Sequence, residues 1–343
     1  MKPILVTGAT GFLGKHLVQQ LRETEPGAPL RIFCRGVSPW DKAGGIEVVR
    51  GDITSPHDVG SAAAGIDQIY HLAGIVSRDP KGKELLYQVH IEGTRNVCEA
   101  ARKHGVKKIV MVSSSGTIAV SGDPVVHDES SGYKHDVVGE WPYYLSKIYA
   151  EKLAFSYFRQ YQLPIVMMNP SLLLGPGDDR GSSTGDVGLF LDGQIRVVPM
   201  GGLNFVDARD AASGILAAMH SGRAGERYLL GGPNWSFREF IEHLSRISGV
   251  AAPKLRLPLG LSLSSARLLR EVMPWVGKSF TLDDVSIKMS ALFWYCDCAK
   301  ARSELGFQTR DPLETLRDTI NDLRQRTPAR ITPEIKTPVS VCM

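Results

Sequence analysis

The stretch TGATGFLG, Thr7 to Gly14, spaces three glycines in the pattern G-x-x-G-x-x-G. It follows an apolar run that predicts a strand over Ile4–Val6, and it opens an amphipathic run that predicts a helix over Leu13–Glu23. Glycines at such a junction allow a turn tight enough for the backbone to approach a pyrophosphate, and the helix N-terminus offers free N–H groups to it. Glycines also mark ordinary loops, but their place between a strand and a helix favours nucleotide binding.

Two later strand ends fit the same ligand. GDI, Gly51 to Ile53, ends the third predicted strand, where an Asp side chain and an apolar neighbour can flank an adenine. HLAG, His71 to Gly74, ends the fourth, where small residues permit close approach of the middle of a dinucleotide. His71 itself is interpreted as a packed strand-end histidine. The candidate cofactor-binding residues from these three turns are Gly8, Thr10, Gly11, Phe12, Leu13, Gly14, Asp52, Ile53, Leu72, Ala73 and Gly74.

Short apolar runs alternate with amphipathic stretches through the first half of the chain, which is typical of a parallel sheet covered by helices. The predicted strands are Ile4–Val6, Arg31–Cys34, Glu47–Val49, Gln68–Leu72, Lys108–Val112 and Ile165–Met168. The predicted helices are Leu13–Glu23, Glu84–His104, Tyr144–Gln160, Asp210–His220, Phe237–Ser248, Ser262–Leu269 and Pro312–Arg324. We therefore expect an α/β protein with a Rossmann-type doubly wound parallel sheet and a smaller mixed C-terminal substrate lobe.

The expected organisation is a dinucleotide-binding domain over residues 1–170, followed by a mainly substrate-binding lobe over 171–326 with some return to the core. Residues 327–343, rich in proline and threonine, predict a flexible tail.

Composition excludes several classes of protein. Of the 343 residues, 43% are hydrophobic and 22% charged. The formal net charge of +4 is small and the basic residues are scattered, so the sequence contains no basic stripe of the kind that binds nucleic acid. No stretch approaches the roughly 20 apolar residues of a membrane span. The five cysteines form no C-x-x-C pair, so we expect neither a metal site nor a disulfide framework, and a cytoplasmic protein. The sequence leaves open whether the protein forms a homodimer.

Candidate catalytic residues lie in two places. VSSSG, Val112 to Gly116, ends the fifth predicted strand, at the sheet edge where doubly wound folds place ligands. WPYYLSK, residues 141 to 147, puts Tyr143 and Lys147 four residues apart, hence one turn apart on one helix face, whereas Tyr144 is three residues from the lysine. A tyrosine and a lysine so spaced occur by chance in many helices, so their weight depends on the other motifs.

Taken in this order, the glycine turn, the serines and the Tyr143/Lys147 pair resemble the extended short-chain dehydrogenase/reductase family. The likeness spans about residues 3 to 325 and includes EGTRNVCEAA (Glu92 to Ala101), NPSLLLGPGD (Asn169 to Asp178), FVDARDAA (Phe205 to Ala212) and CAKARSELGF (Cys298 to Phe307). Within the family the chain looks similar to the branch of dihydroflavonol reductases, 3β-hydroxysteroid dehydrogenases and related epimerase-like proteins.

The resemblance implies the roles of the site residues. Tyr143 would transfer the hydroxyl proton while hydride passes between a nicotinamide and a substrate carbon, and Lys147 would lower the tyrosine pKa and hold the nicotinamide ribose. A serine would polarise the same oxygen. Counting from the strand favours Ser114, and counting back from Ile118 gives Ser115. The resemblance adds Pro170 and Ser171 to the candidate cofactor-binding residues.

Two positions depart from the family pattern. His90 stands where relatives usually have an asparagine that braces the active site, and a histidine could take over that hydrogen bond. Asn169 stands where many relatives have arginine. For the cofactor we expect NADP, with NAD as the alternative, because Arg35 follows the second strand and no acid occurs before Asp41.

The leading functional prediction is an oxidoreductase acting on a secondary alcohol or ketone of a mid-sized, hydrophobic small molecule. The alternative is a nucleotide-sugar epimerase or dehydratase that retains its cofactor. Such enzymes commonly show R-D-[FY]-[IV]-H-V before the region of Ala211, whereas this chain lacks the arginine-aspartate pair ahead of Phe205 and has Asp207 in place of the histidine. A non-catalytic cofactor-sensing protein is the third hypothesis, which the presence of both Tyr143 and Lys147 disfavours.

Overall fold

A computed structural model describes residues 3–77, 82–256 and 284–326. The helix predicted at Ser262–Leu269 and the tail predicted at 327–343 lie outside these ranges. The strands are β1 (Ile4–Thr7), β2 (Leu30–Cys34), β3 (Ile46–Arg50), β4 (Gln68–His71), β5 (Lys108–Val112), β6 (Ile165–Pro170), β7 (Leu172–Leu174), β8 (Val197–Val198), β9 (Gly202–Asp207), β10 (Arg227–Leu230), β11 (Asn234–Ser236), β12 (Leu255–Arg256) and β13 (Phe293–Trp294).

The described α-helices are α1 (Phe12–Thr24), α2 (Pro56–Ala63), α3 (Lys83–Tyr87), α4 (Gly93–His104), α5 (His135–Val138), α6 (Pro142–Tyr161), α7 (Gly185–Leu191), α8 (Ala208–Ser221), α9 (Phe237–Ser248), α10 (Asp284–Ser290), α11 (Ala299–Leu305) and α12 (Pro312–Arg326). A π turn over Gln88–Glu92 joins α3 to α4, and a 3₁₀ turn over Ser115–Thr117 follows β5.

The main sheet has seven strands in the order β10-β6-β5-β4-β1-β2-β3, and all of its pairings are parallel. The six predicted strands form it, together with β10, which was not predicted. The chain first runs outward from β1 to β3 and then from β4 the other way, so the strand order reverses between β1 and β4. The carboxyl ends at such a reversal are where doubly wound sheets bind ligands. The predicted fold class is confirmed.

Alternate residues of each central strand face two different cores, as the period of a strand requires. Val6 of β1 packs with α1 and α8 in one core, whereas Leu5 packs with α2, α4 and α6 in the other. The sheet is therefore covered by helices on both faces. Its site-bearing edge is left to the turns that follow β1, β4 and β5.

The helix predicted over Glu84–His104 is interrupted by the π turn. A π turn widens the helix by one residue and commonly occurs at functional sites. Here it brings His90 to a buried position, 2% exposed, beneath the site.

Helix α6 begins earlier than predicted, with Pro142 in its first turn, where a missing N–H costs nothing. Tyr143 and Lys147 thus both lie inside the helix, which their one-turn spacing requires. Helix α2 was not predicted, although Pro56 begins it and the Ser55 side chain accepts a hydrogen bond from the Asp58 N–H as its N-cap.

The second lobe surrounds a mixed sheet in the order β11-β9-β13, with β7 also pairing with β9, and a pair of short strands, β8 and β12. Its core packs α9 and α12 against that sheet through Phe205, Phe240 and Leu316. The helices predicted at Phe237–Ser248 and Pro312–Arg324 occur here as α9 and α12, whereas the helix predicted at Asp210–His220 occurs as α8, which packs on the main sheet. Within the described ranges, no helix combines the length and apolarity that crossing a bilayer would need.

Candidate active site

The glycine turn after β1 is a backbone cradle. Gly8 has a φ of +74°, and a Cβ there would lie 2.5 Å from the Leu72 carbonyl carbon and 2.6 Å from the Ala73 nitrogen. A Cβ on Gly14 would lie 2.1 Å from the Gly8 oxygen. Side chains at these two positions are therefore excluded. The turn and the end of β4 approach each other as closely as a dinucleotide crevice requires.

Helix α1 points its N-terminus into this cradle. Its N-cap is Gly11, which no side chain caps among the described residues, and its first turn contains no acid. The N–H groups of the first turn and the positive end of the helix dipole are thus available to an anion. The cradle fits the diphosphate of a dinucleotide.

The ends of β2 and β3, where the sequence predicts the adenosine, form one side of the crevice. Arg35 is half exposed and lies 3.9 Å from the Asp52 carboxylate. Asp52 accepts hydrogen bonds from both the N–H and the hydroxyl of Thr54, and Ile53 is buried. The predicted residues Arg35, Asp52 and Ile53 are therefore brought together at one end of the cradle.

Two residues that sequence reasoning missed lie beside them. The Trp40 indole N–H donates to the Ala9 carbonyl of the glycine turn at 3.3 Å. Arg50, at the end of β3, donates to the Cys34 sulfur at 2.7 Å and pairs with Asp41. Because both contacts join residues that are far apart in the sequence, no local pattern signalled them. Arg50 gives this end of the crevice a second guanidinium.

The middle of the crevice is formed by Leu72, Ala73 and Gly74. The Ala73 N–H donates to the Thr7 hydroxyl at 3.2 Å, and this hydroxyl lies 2.8 Å from His71 Nδ1. Burial lowers the pKa of His71 to about 3, so its ring is neutral, as expected of a packed histidine. A Cβ on Gly74 would lie 3.2 Å from His90 Nε2 and 3.3 Å from Lys147 Nζ. Gly74 therefore adjoins the lysine.

Tyr143, Ser114 and Lys147 meet at the carboxyl end of β5. The Lys147 ammonium donates to the Val112 carbonyl at 3.2 Å. Burial raises the pKa of Tyr143 to about 12, and hydrogen bonding to Ser114 opposes this rise. The shift is opposite to the lowering expected from Lys147, and its largest cause is the cost of burying a phenolate.

The structure distinguishes the two candidate serines. The Ser114 hydroxyl opposes the rise in the pKa of Tyr143, and it accepts a hydrogen bond from the Gly116 N–H at 3.3 Å. Ser115 is buried in the 3₁₀ turn, where its carbonyl accepts from Ile118 and Ala119. Ser114 is therefore the serine that we expect to act with the tyrosine.

Tyr144 belongs to a different surface from Tyr143. Its ring stacks on Trp294 of β13 with centroids 5.0 Å apart, and Trp141 lies 6.0 Å from Trp294. Gly116 makes room for the stack, since a Cβ there would lie 2.3 Å from the Tyr144 ring. We call Trp141, Tyr144 and Trp294 the aromatic cluster. It packs against the turn that follows Ser114.

His90 connects three parts of the site. Its Nε2 accepts a hydrogen bond from the Ile75 N–H at 3.1 Å, so Nδ1 carries the proton of the neutral ring and donates to Ser146 Oγ at 2.8 Å. Ser146 in turn donates to the Tyr143 carbonyl at 2.7 Å. Burial holds the pKa of His90 well below its usual value. The histidine braces the site without being charged.

The end of β6 closes the site from behind. Pro170 and Ser171 are both buried, and the Ser171 N–H donates to the Leu230 carbonyl at 2.8 Å. Among the described residues the Ser171 hydroxyl has no hydrogen-bond partner. A buried hydroxyl without a partner is costly, and it suits a residue that contacts a ligand.

The residues therefore form a crevice that fits a dinucleotide, with a tyrosine, a serine and a lysine at one end. This is the class of site that an α/β oxidoreductase uses, and comparison with known proteins agrees. The family model described as "NAD dependent epimerase/dehydratase family" matches residues 4–231.

A protein of Synechocystis sp. named "Putative dihydroflavonol 4-reductase" is 36% identical over 326 residues, covering 92% of this chain and 93% of that protein. A "3-beta-hydroxysteroid dehydrogenase" of Mycolicibacterium neoaurum is 29% identical and covers 89% of this chain and 86% of that protein. The crystal structure of gox2253 superposes with a TM-score of 0.81 at 30% identity, covering 94% of this chain and 98% of that one.

The chain belongs to the NAD dependent epimerase/dehydratase family. It is an NAD(P)-dependent dehydrogenase or reductase of the extended short-chain type, as its motifs predicted.

Proposed function

We propose that this enzyme transfers hydride between a nicotinamide and the carbon of a secondary alcohol or ketone, on a mid-sized hydrophobic substrate. The observation that carries the proposal is the convergence of Tyr143, Ser114 and Lys147 beside the crevice. Residues 1–170 would mainly bind the dinucleotide, and residues 171–326 would mainly bind the substrate.

In this proposal Tyr143 and Ser114 contact the reacting oxygen, and Lys147 and His90 support Tyr143. When bound, the nicotinamide supplies or accepts the hydride. Tyr143 gives the proton to the alkoxide oxygen, or takes it from the alcohol, and Ser114 donates a hydrogen bond to the same oxygen. Lys147 places a positive charge one helical turn from the tyrosine, which favours the phenolate relative to a site without it. His90 holds the helix that carries both.

The aromatic cluster supports a hydrophobic substrate. Tyr144 and Trp294 are only partly buried, although they adjoin the turn that carries Ser114. Large, rigid aromatic surfaces beside a reacting centre bind apolar ligands with little loss of side-chain entropy. The relatives named as a dihydroflavonol reductase and a hydroxysteroid dehydrogenase act, by those names, on fused-ring molecules. We infer that the substrate carries an apolar ring system.

For the cofactor we propose NADP. Arg35 and Arg50 both lie at the adenosine end of the crevice, where two guanidinium groups suit a 2′-phosphate. Asp52 lies near Arg35, with one carboxylate oxygen held by Thr54 and the other 3.9 Å from the Arg35 guanidinium. This arrangement supports NADP over NAD.

The alternative is a nucleotide-sugar epimerase or dehydratase that keeps its cofactor between half-reactions. Asp207, which stands where such enzymes commonly have a histidine, is buried and paired with Arg209 and Arg310. Its carboxylate is thus engaged in ion pairs within the protein, which does not favour a sugar-nucleotide site there.

The deciding experiment is a screen of the purified protein with NADPH against ketones, sterols and nucleotide sugars. We expect the protein to purify largely free of dinucleotide and to consume it stoichiometrically with a ketone. A tightly retained dinucleotide, with no net absorbance change at 340 nm during turnover of a nucleotide sugar, would establish the alternative. Retention of dinucleotide without any turnover would instead support a cofactor-sensing protein.

A further inference from the structure

Glu151 is a buried carboxylate that the reaction described above does not use. It lies on α6 one turn after Lys147, is 1% exposed, and lines the same small cavity of about 20 Å³ as that lysine. A carboxylate removed from water is costly unless its neighbours compensate it. Its neighbours therefore indicate what its charge does.

One oxygen of Glu151 is fixed by neutral donors. Oε1 accepts hydrogen bonds from the Thr117 hydroxyl at 2.9 Å and the Asn169 amide at 2.8 Å. The same amide nitrogen lies 3.0 Å from the Ser114 carbonyl. Asn169 of β6 stands where many relatives have arginine. Because its amide is neutral, it hydrogen-bonds this carboxylate without neutralising the charge. These bonds also tie Glu151 to the turn that carries Ser114.

The other oxygen faces a cation only at a distance. Oε2 lies 3.5 Å from the Arg227 guanidinium and has no hydrogen-bond partner among the described residues. Arg227 instead donates to the Tyr133 hydroxyl at 2.7 Å and stacks on the Tyr133 and Phe155 rings. Part of the negative charge is thus left to act on other groups nearby.

The remaining titratable groups packed around Lys147 do not supply an opposite charge. His71 from β4 and His90 from the π turn are neutral, because burial lowers the pKa of each. Burial raises the pKa of both Tyr143 and Tyr133, so these phenols stay protonated near neutrality. Burial lowers the pKa of Lys147 to about 8, and Glu151 opposes this fall. Among these groups, Glu151 is therefore the one that supplies a negative charge to Lys147 near neutrality.

We propose that Glu151 is a positioning residue whose carboxylate keeps Lys147 in its ammonium form, while Asn169 and Thr117 hold that carboxylate in place. The proposal rests on the proposed function, since it matters for catalysis only if Lys147 assists Tyr143. Arg227 weakens the effect by competing for the same charge.

The test is the position of the alkaline limb of kcat/KM against pH. Glu151→Gln keeps the size and an acceptor but removes the charge, so the lysine should lose its proton more readily and the limb should move about one unit lower. Glu151→Asp keeps the charge and should leave the limb close to its wild-type position. Arg227→Met keeps an apolar stem over Tyr133 and removes the competing cation, so the limb should move higher.

If Glu151 had only a structural role, loss of its contacts would change the rate and leave the limb in place. Thr117→Val shows what such a loss looks like. Thr117→Val removes one hydrogen bond to Glu151 without changing any charge, so it should lower the rate and leave the limb in place. Equal limb positions in wild type, Glu151→Gln and Arg227→Met would overturn the proposal, whatever happens to the rate. If Glu151→Gln does not fold, the shift of the limb to higher pH in Arg227→Met still decides, because a loss of stability would not raise the pH of the limb.

A second readout is independent of turnover. Reductive methylation of Lys147 with formaldehyde and cyanoborohydride, followed by peptide mass spectrometry, reports the neutral fraction of the lysine. At pH 7 it should be about fivefold faster in Glu151→Gln than in wild type, because a fall of about one unit from a pKa of about 8 raises the neutral fraction from about a tenth to about a half, and it should be slower in Arg227→Met. If the wild type turns over no alcohol or ketone, the proposed function fails, and the methylation rates still decide the role of Glu151. Equal rates in the three proteins would overturn it.

Discussion

His90 Nδ1 donates a hydrogen bond to Ser146 Oγ at 2.8 Å, so a histidine in the π turn is tied to the helix that carries Tyr143 and Lys147. His90→Ala should leave the Ile75 N–H unpaired and remove the donor to the Ser146 hydroxyl, which costs about 1–3 kcal/mol in the free energy of unfolding. We also expect turnover to fall roughly 10–100-fold, because the helix is less well placed. Urea denaturation and steady-state kinetics check these values.

The matched control for His90 is His57, whose side chain is 90% exposed. His57→Ala should change neither stability nor turnover measurably. Equal effects of the two substitutions would contradict the bracing role.

Tyr143 and Tyr144 are neighbours with different surroundings, and this makes them a second matched pair. Tyr143→Phe should lower turnover by about 10²–10⁴-fold while leaving dinucleotide affinity almost unchanged, because only the proton donor is lost. Tyr144→Phe keeps the ring that stacks on Trp294 and should have much less effect. Single-turnover kinetics and fluorescence titration with NADPH measure both quantities. The assignment of Tyr143 is wrong if both variants lose turnover equally.

Arg35 decides the cofactor in our proposal. Arg35→Glu places a carboxylate against a 2′-phosphate, so NADPH binding should weaken at least tenfold, roughly 1.4 kcal/mol, with little loss for NADH. Fluorescence titration of both cofactors tests this. A wild-type preference for NADH, or equal losses for both cofactors, would show that Arg35 is a solvated loop residue.

The glycine cradle can be tested with a single methyl group. Gly14→Ala puts a Cβ 2.1 Å from the Gly8 oxygen, so the turn must shift, at a cost of about 1–3 kcal/mol in stability and with loss of dinucleotide binding. Gly44→Ala, where a Cβ would meet nothing within 4 Å, is the control and should bind dinucleotide as the wild type does. Calorimetric titration and thermal melting separate the two effects. Normal dinucleotide binding by Gly14→Ala would refute the role of the cradle.

Local patterns were enough to predict the crevice. The glycine spacing, the six strands and the one-turn spacing of Tyr143 and Lys147 each depend on neighbouring residues, and the structure contains all three features. The helix interrupted at His90 was predicted as continuous, because a π turn leaves the hydrophobic period nearly unchanged.

The parts that sequence reasoning missed depend on contacts between distant segments. Strand β10 joins the sheet beside β6 only because the second lobe returns to it, and four residues at Arg227–Leu230 carry too weak a pattern to predict this. Trp40 contacts Ala9 across 31 residues of sequence, and Glu151 contacts Asn169 across 18. Their side chains gain a role only after the sheet has aligned them.

The return of β10 to the main sheet has a consequence for how the protein unfolds. Residues 227–230 form the outer strand beside β6, and Arg227 within them faces Glu151 of the first half. A fragment ending at residue 170 would leave the backbone groups of β6 unpaired along a hydrophobic edge, which invites pairing with another chain. Such a fragment should aggregate instead of binding dinucleotide as an independent module, and the two halves of the intact enzyme should unfold together in one cooperative transition.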